Sequence, residues 1–177
     1  MSPAPRIGYS KHCFVCGQEN ERGLRARFEV LDGQARTVVR PPAHVRGFQG
    51  MLHGGIIAAL CDEVMWYAGF SRDLFTVTAD LSVRYKAPVP VEGEVSAEGR
   101  VLEVRRKIVR TAAELRGPGG EVLALAEGRF FVVPPATILG DEEIRLYEAG
   151  RWTGAGAAPC PGSRALGPEG GAPQFLL

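Results

Sequence analysis

The feature that most constrains this chain is the segment from His53 to Gly69. Ile57, Leu60, Cys61, Val64 and Ala68 fall at helical spacing, and the other faces of the segment are also apolar. A helix that is apolar nearly all round is a buried helix. At 1.5 Å per residue it is about 25 Å long, which needs a large covering surface. The flanking sequence supplies that surface as strands. Leu24 to Val30 alternates with the period of a half-buried strand, Asp32-Gly33 offers a hairpin turn, and Gln34 to Arg40 continues until Pro41-Pro42 stops it. Beyond the helix, strands are expected over Thr76 to Lys86, Gly93 to Val104, Lys107 to Leu115 and Glu121 to Val133. Short connections there predict an antiparallel meander. The class is α+β: one antiparallel sheet bent around one long helix, with an open edge and an uncovered helix flank that call for a second subunit.

The length of 177 residues suits one domain. The division expected is an N-terminal arm with a cysteine pair over 1–23, a central domain over 24–135, and a C-terminal extension over 136–177. Met1 to Lys11 reads as a loose arm and Glu142 to Ala149 as a short helix. Gly154 to Pro173, rich in Gly, Ala and Pro, reads as disordered. A net charge of +1 gives no global basic field, so no nucleic-acid partner is expected. The longest apolar run, Ile56 to Cys61, is too short to span a bilayer, and Met1 to Ser10 lacks the apolar stretch of a signal peptide. The expectation is a cytoplasmic chain without a membrane partner, its four cysteines reduced.

Two features of the helix carry chemistry. His53-Gly54-Gly55 opens it, where backbone N–H groups lack internal partners and the dipole is positive. The glycines let a ligand approach that backbone, so a carbonyl placed there would be polarised; equally, they permit tight packing. The second feature is charge. Between Gly54 and Phe70 the only charged residues are Asp62 and Glu63. Burying a carboxylate costs several kcal/mol, in order of magnitude, unless it is paired, so a base or nucleophile facing a pocket is one reason for it. A helix turn that reaches solvent or a subunit rim is the other. Adjacent helix residues point about 100° apart, so one of the two at most faces a given site.

His53-Gly54-Gly55, six residues, then Asp62 resembles the PaaI-like acyl-CoA thioesterases of the hotdog superfamily. The resemblance runs from about Gly23 to Val133 and includes the strand Thr76 to Pro88. It implies a hotdog fold and a homodimer joined edge to edge, able to pair into a homotetramer. It implies an acyl-CoA substrate and no cofactor. The Gly55 N–H takes the thioester oxygen, and Asp62 of the facing subunit activates water or attacks the carbonyl. Thr78 matches the hydroxyl that positions water in some members. Some members carry Asn before the His-Gly-Gly; here Arg46 to Gly50 has none, and Gln49 is the stand-in. Glu63 is the second candidate base. His53 is assigned chiefly to shaping the loop, and Gly54 to binding beside Gly55.

Cations for the CoA phosphates are sought in Arg84 and Lys86 after the helix, and in Arg105-Arg106-Lys107 at a predicted hairpin, with Arg106 chosen there. Solvated edges explain them equally well. Met65, Trp66, Tyr67 and Phe70 are acyl-pocket or core residues. Aromatic and medium-chain acyl groups both suit, aromatic slightly better. Cys13-Phe14-Val15-Cys16-Gly17 is half of a zinc knuckle, but neither His12 nor His44 has ligand spacing. No metal is assigned, and the segment is read as a cap ahead of the first strand. The competing classes are an acyl-CoA-binding module without hydrolysis, a hotdog hydratase with a different motif, and a small zinc-dependent interaction protein.

Overall fold

The computed structural model describes residues 10–140. The expected C-terminal helix and Gly/Ala/Pro tail, and all of the N-terminal arm before Ser10, lie outside them. A single six-stranded antiparallel sheet wraps one helix, α1 (Gly54–Phe70). The strands are β1 (Glu29–Leu31), β2 (Gln34–Val39), β3 (Thr76–Tyr85), β4 (Val95–Arg105), β5 (Ile108–Arg116) and β6 (Val122–Val132). Their order across the sheet is β1-β2-β4-β5-β6-β3. This is the hotdog arrangement that the sequence implied.

Two expectations change. The meander holds for β4, β5 and β6, but β3 pairs with β6 at the far edge rather than with β4. Residues 86–94, carrying Pro88 and Pro90, lead the chain from β3 across to β4, whose other edge is taken by β2. The first strand is also shorter than expected. Residues 24–28 keep the in–out alternation, with Ala26 and Phe28 buried, but lie outside the ladder. Arg25 has φ +50°, a left-handed conformation that interrupts a strand. The N–H groups of Leu24 and Ala26 bond to the carbonyls of Phe14 and Val15 instead. The cysteine-bearing segment is thereby stitched to the sheet, and Val15 and Cys16 join the common core.

The helix buries Leu60, Cys61, Val64, Met65, Tyr67, Ala68 and Phe70 against the sheet. Contact is closest at Gly99 of β4, where a Cβ would lie 2.5 Å from the Val64 carbonyl oxygen and 3.0 Å from the Met65 nitrogen. Only glycine lets the two backbones meet at that distance. The other side of the helix is less covered. Gly55 is exposed, and Ala59, Asp62 and Trp66, which follow it at helical spacing, are half-buried. Ile138 and Leu139, past β6, still pack against the core.

Candidate active site

The uncovered flank of α1 carries the predicted site, and one strand, β3, meets it at both ends. At the helix start, His53 has extended backbone and acts as N-cap. Its Nδ1 accepts the Gly55 N–H at 2.9 Å, and its carbonyl accepts the N–H groups of Ile56 and Ile57. The ring therefore caps the helix start, and it holds the very N–H expected to bind a thioester oxygen. His53 is exposed, so the ring has room to leave. Gly47 packs on the His53 backbone, and antiparallel bridges from Arg46 to Leu52 and from Met51 to Pro90 hold the loop. Gln49 is exposed at the loop tip, beside Gly50. Tyr85, not singled out from the sequence, donates its hydroxyl to the Gly54 carbonyl at 3.0 Å. An aromatic residue ending a strand gave no distinctive signal.

Two turns further along, Asp62 Oδ1 accepts the Thr78 hydroxyl at 2.9 Å. The bulge in β3 between Thr78 and Asp80 interrupts the regular register beside this pair, as bulges near functional sites commonly do. Burial pushes the Asp62 carboxyl above its ordinary range, Thr78 pulls it back, and nearby Cys13 adds to the rise. Glu63 faces a different neighbour: the Cys13 thiol donates to its Oε1 at 3.5 Å. Burial first, then Cys13, pushes the Glu63 carboxyl up to about 8. Met65, Tyr67 and Phe70 are fully buried core, and Trp66 is half-buried with its Nε1–H on the Thr76 carbonyl.

The candidate cations separate into two groups. Val77, Phe131 and Ile108 lie in one row across the sheet, next to the Arg105–Lys107 turn. Tyr85, Ala124 and Leu115 lie in another. Seven residues of β5 or β6 separate these rows, about 23 Å at 3.3 Å per residue. Arg106 is thus at the Thr78 end of the sheet, and Arg84 and Lys86 are at the helix-start end; all three are exposed.

Comparison with known proteins places the chain. The model of the thioesterase superfamily matches residues 49–124, which span the His53 loop, α1 and β3 to β5. The crystal structure of the thioesterase superfamily protein RHA08564 is similar at TM-score 0.65 and 32% identity, over 70% of this chain and 61% of that one. The conserved protein PA5202 of Pseudomonas aeruginosa is 30% identical, with TM-score 0.58, over 62% of this chain and 90% of that one. Over this central part the chain is similar to the thioesterase superfamily. Among curated proteins, the acyl-coenzyme A thioesterase THEM4 of Rattus norvegicus is 31% identical over 61 residues, 34% of this chain. The match spans about a quarter (26%) of that relative's length. Among the described residues, no helix is long and apolar enough to cross a membrane.

The His53 geometry gives one expected outcome. His53→Ala removes the cap and lowers unfolding stability by about 1 kcal/mol, the usual value of an N-cap. Denaturant titration reads this directly. In the same variant kcat falls less than about tenfold, since general acid–base groups contribute about a hundredfold or more. A kcat loss as large as that of an Asp62 variant would place the imidazole in the chemical step.

Proposed function

We propose that this protein hydrolyses an acyl-CoA to the free acid and CoA, in a site assembled from two subunits. The observation that carries the reading is the half-buried Asp62 carboxylate on the uncovered helix flank, held by Thr78. Both partners of the pair fit the task. Thr78 occupies one carboxylate oxygen and leaves the other for a water. Partial burial raises the basicity of the carboxylate, as a general base near neutral pH requires.

Helix geometry argues for the second subunit. Gly55 and Asp62 are seven residues apart on one helix, about 10 Å along its axis. A thioester whose oxygen sits on the Gly55 N–H therefore cannot present its carbon to Asp62 of the same chain. β3 is an open edge of ten residues, mostly exposed, with apolar Val77 and Tyr85 along it. Antiparallel pairing of β3 with its copy brings the Thr78 end of one strand to the Tyr85 end of the other. Asp62 of one chain then stands near the Gly55 N–H of its partner, in a homodimer that can pair into a tetramer. The same pairing brings the Arg106 turn of one chain toward Arg84 and Lys86 of the other, where both could meet CoA phosphates.

In that site the incoming carbonyl displaces the His53 ring from the Gly55 N–H, with Gly54 beside it and Gln49 at the rim. Asp62 takes a proton from water as the oxygen attacks the thioester carbon. The tetrahedral oxyanion rests on the Gly55 N–H and the helix dipole. Collapse expels CoA thiolate, which recovers the proton. Direct attack by Asp62 gives an acyl anhydride that water cleaves to the same products. The acyl group is aromatic or medium-chain, and the cytosol is the compartment. Release of free thiol from a panel of acyl-CoAs tests the reading; binding of CoA esters with no turnover of any of them would replace it with a binding module. Arg106→Ala is expected to raise KM for a CoA ester several-fold, about the loss of one charge-assisted contact. A short thioester lacking the nucleotide should be unaffected. Equal effects on both would remove Arg106 from the CoA site.

A further inference from the structure

The cysteine pair left without partners in the sequence acquires one in the fold. Cys13 and Cys16 lie in a tight turn, and Glu63 comes from the middle of α1, fifty positions away from Cys13. One ligand atom from each of the three falls within 4.8 Å of the other two. All three are buried or half-buried. The turn has features of a ligand-holding knuckle. The N–H groups of Val15 and Cys16 point at the Cys13 sulfur at 3.3 and 3.5 Å, an arrangement that favours thiolate over thiol. Gly17 N–H bonds back to the Cys13 carbonyl, and a Cβ at Gly17 would lie 2.4 Å from that oxygen, so the turn closes only with glycine.

With its proton the Cys13 thiol pairs with Glu63, but the three groups can ionise together only if a cation joins them. Glu63 follows Asp62 on the helix and has the two cysteine sulfurs beside it, all of them acidic groups. As two thiolates and a carboxylate away from water they would repel one another strongly. A divalent ion removes that repulsion. The spacing suits one in particular. Tetrahedral zinc with Zn–S of about 2.3 Å and Zn–O of about 2.0 Å places sulfur and oxygen ligands about 3.5 Å apart. The Cys13 sulfur and Glu63 oxygen are 3.5 Å apart.

We propose that Cys13, Cys16 and Glu63 bind a zinc ion, with the fourth position taken by water. The ion pins the N-terminal segment to the central helix one residue from Asp62. It is a site separate from the thioester chemistry: neither Cys nor Glu63 takes part in the hydrolysis described above, so its test is independent of that reading.

The experiment uses the full chain, stripped of metal by chelator under reducing conditions and titrated with cobalt(II). The expected result is one cobalt per chain with an intense thiolate-to-cobalt charge-transfer band and the visible bands of a tetrahedral ion. The band is lost in the Cys13→Ser, Cys16→Ser double variant. Glu63→Gln keeps the band and raises the cobalt Kd by at least about tenfold, since even partners outside the ligand set are worth that much. On unaltered protein, zinc raises Tm and slows reaction of two thiols with a disulfide reagent, a readout that needs no variant to fold. Absence of a charge-transfer band at stoichiometric cobalt in reduced wild type overturns the proposal. So does a band that persists in the double variant, which would place the metal on Cys61 or Cys160. A chain that purifies with a Cys13–Cys16 disulfide and takes up no metal once reduced overturns it in favour of a redox pair.

Discussion

Replacing Asp62 with asparagine is expected to lower kcat for acyl-CoA hydrolysis by about a hundredfold or more, the range of a lost general base, with the dimer and the fold intact. Asparagine keeps the shape of the side chain and can still accept the Thr78 hydroxyl, which is 2.9 Å from Oδ1 in the native protein. What it loses is the capacity to take a proton or to attack. A base involved only in the transition state lowers kcat and kcat/KM together, so KM should move little. Glu63→Gln should leave kcat within a few-fold, since Glu63 faces Cys13 rather than Thr78. Steady-state kinetics by free-thiol release checks both. A full-rate Asp62→Asn enzyme would remove Asp62 from the reaction.

The second large effect falls on stability. Gly99→Val is expected to cost more than about 3 kcal/mol, the upper end of overpacking penalties. The new Cβ would lie 2.5 Å from the Val64 carbonyl oxygen and 2.7 Å from its carbon, both backbone atoms inside the helix. Neither can turn away as a side chain can. The helix must lift from β4, and with it the flank that bears Asp62. Gly54→Ala is the contrast. The nearest atoms to its Cβ would be the ring and hydroxyl of Tyr85 at 3.6 Å, an ordinary contact. Alanine in a first helical turn changes stability by no more than about 1 kcal/mol. Urea titration of both variants tests the comparison, and a Gly99→Val protein unfolding at the wild-type midpoint would contradict this picture of helix and sheet.

The elements with a strong period were legible in the sequence. The expected helix from His53 to Gly69 is observed as Gly54–Phe70, and the expected strands over Lys107 to Leu115 and Glu121 to Val133 as Ile108–Arg116 and Val122–Val132. Non-local choices were not legible. Alternation over Leu24 to Val30 marks buried positions correctly, yet it does not reveal that the cysteine segment takes the backbone bonds of Leu24 and Ala26. Short connections suggested that β3 pairs with β4, but which edge a strand joins depends on what already occupies it, and β2 occupies β4. At the site, the spacing from His53 to Asp62 pointed to the helix flank that the sheet leaves less covered. The partner of Glu63 stayed hidden because fifty residues separate it from Cys13. A clue was present: the helix has two adjacent carboxylates, and one site can use only one of them.

The central claim is a site divided between subunits, and mixing two inactive chains tests it most directly. Gly55→Pro removes the N–H proposed to bind the oxyanion, at a first-turn position where proline is tolerated. Asp62→Ala removes the carboxylate. Each homodimer, verified as folded and dimeric, should be nearly inactive. In a mixed dimer, one of the two sites keeps both an intact Gly55 from one chain and an intact Asp62 from the other. Coexpressed chains carrying different tags, purified as the heterodimer, should therefore regain about half the wild-type acyl-CoA hydrolysis, because one site of two is whole. A heterodimer as inactive as its parents would show that Gly55 and Asp62 do not act across the interface.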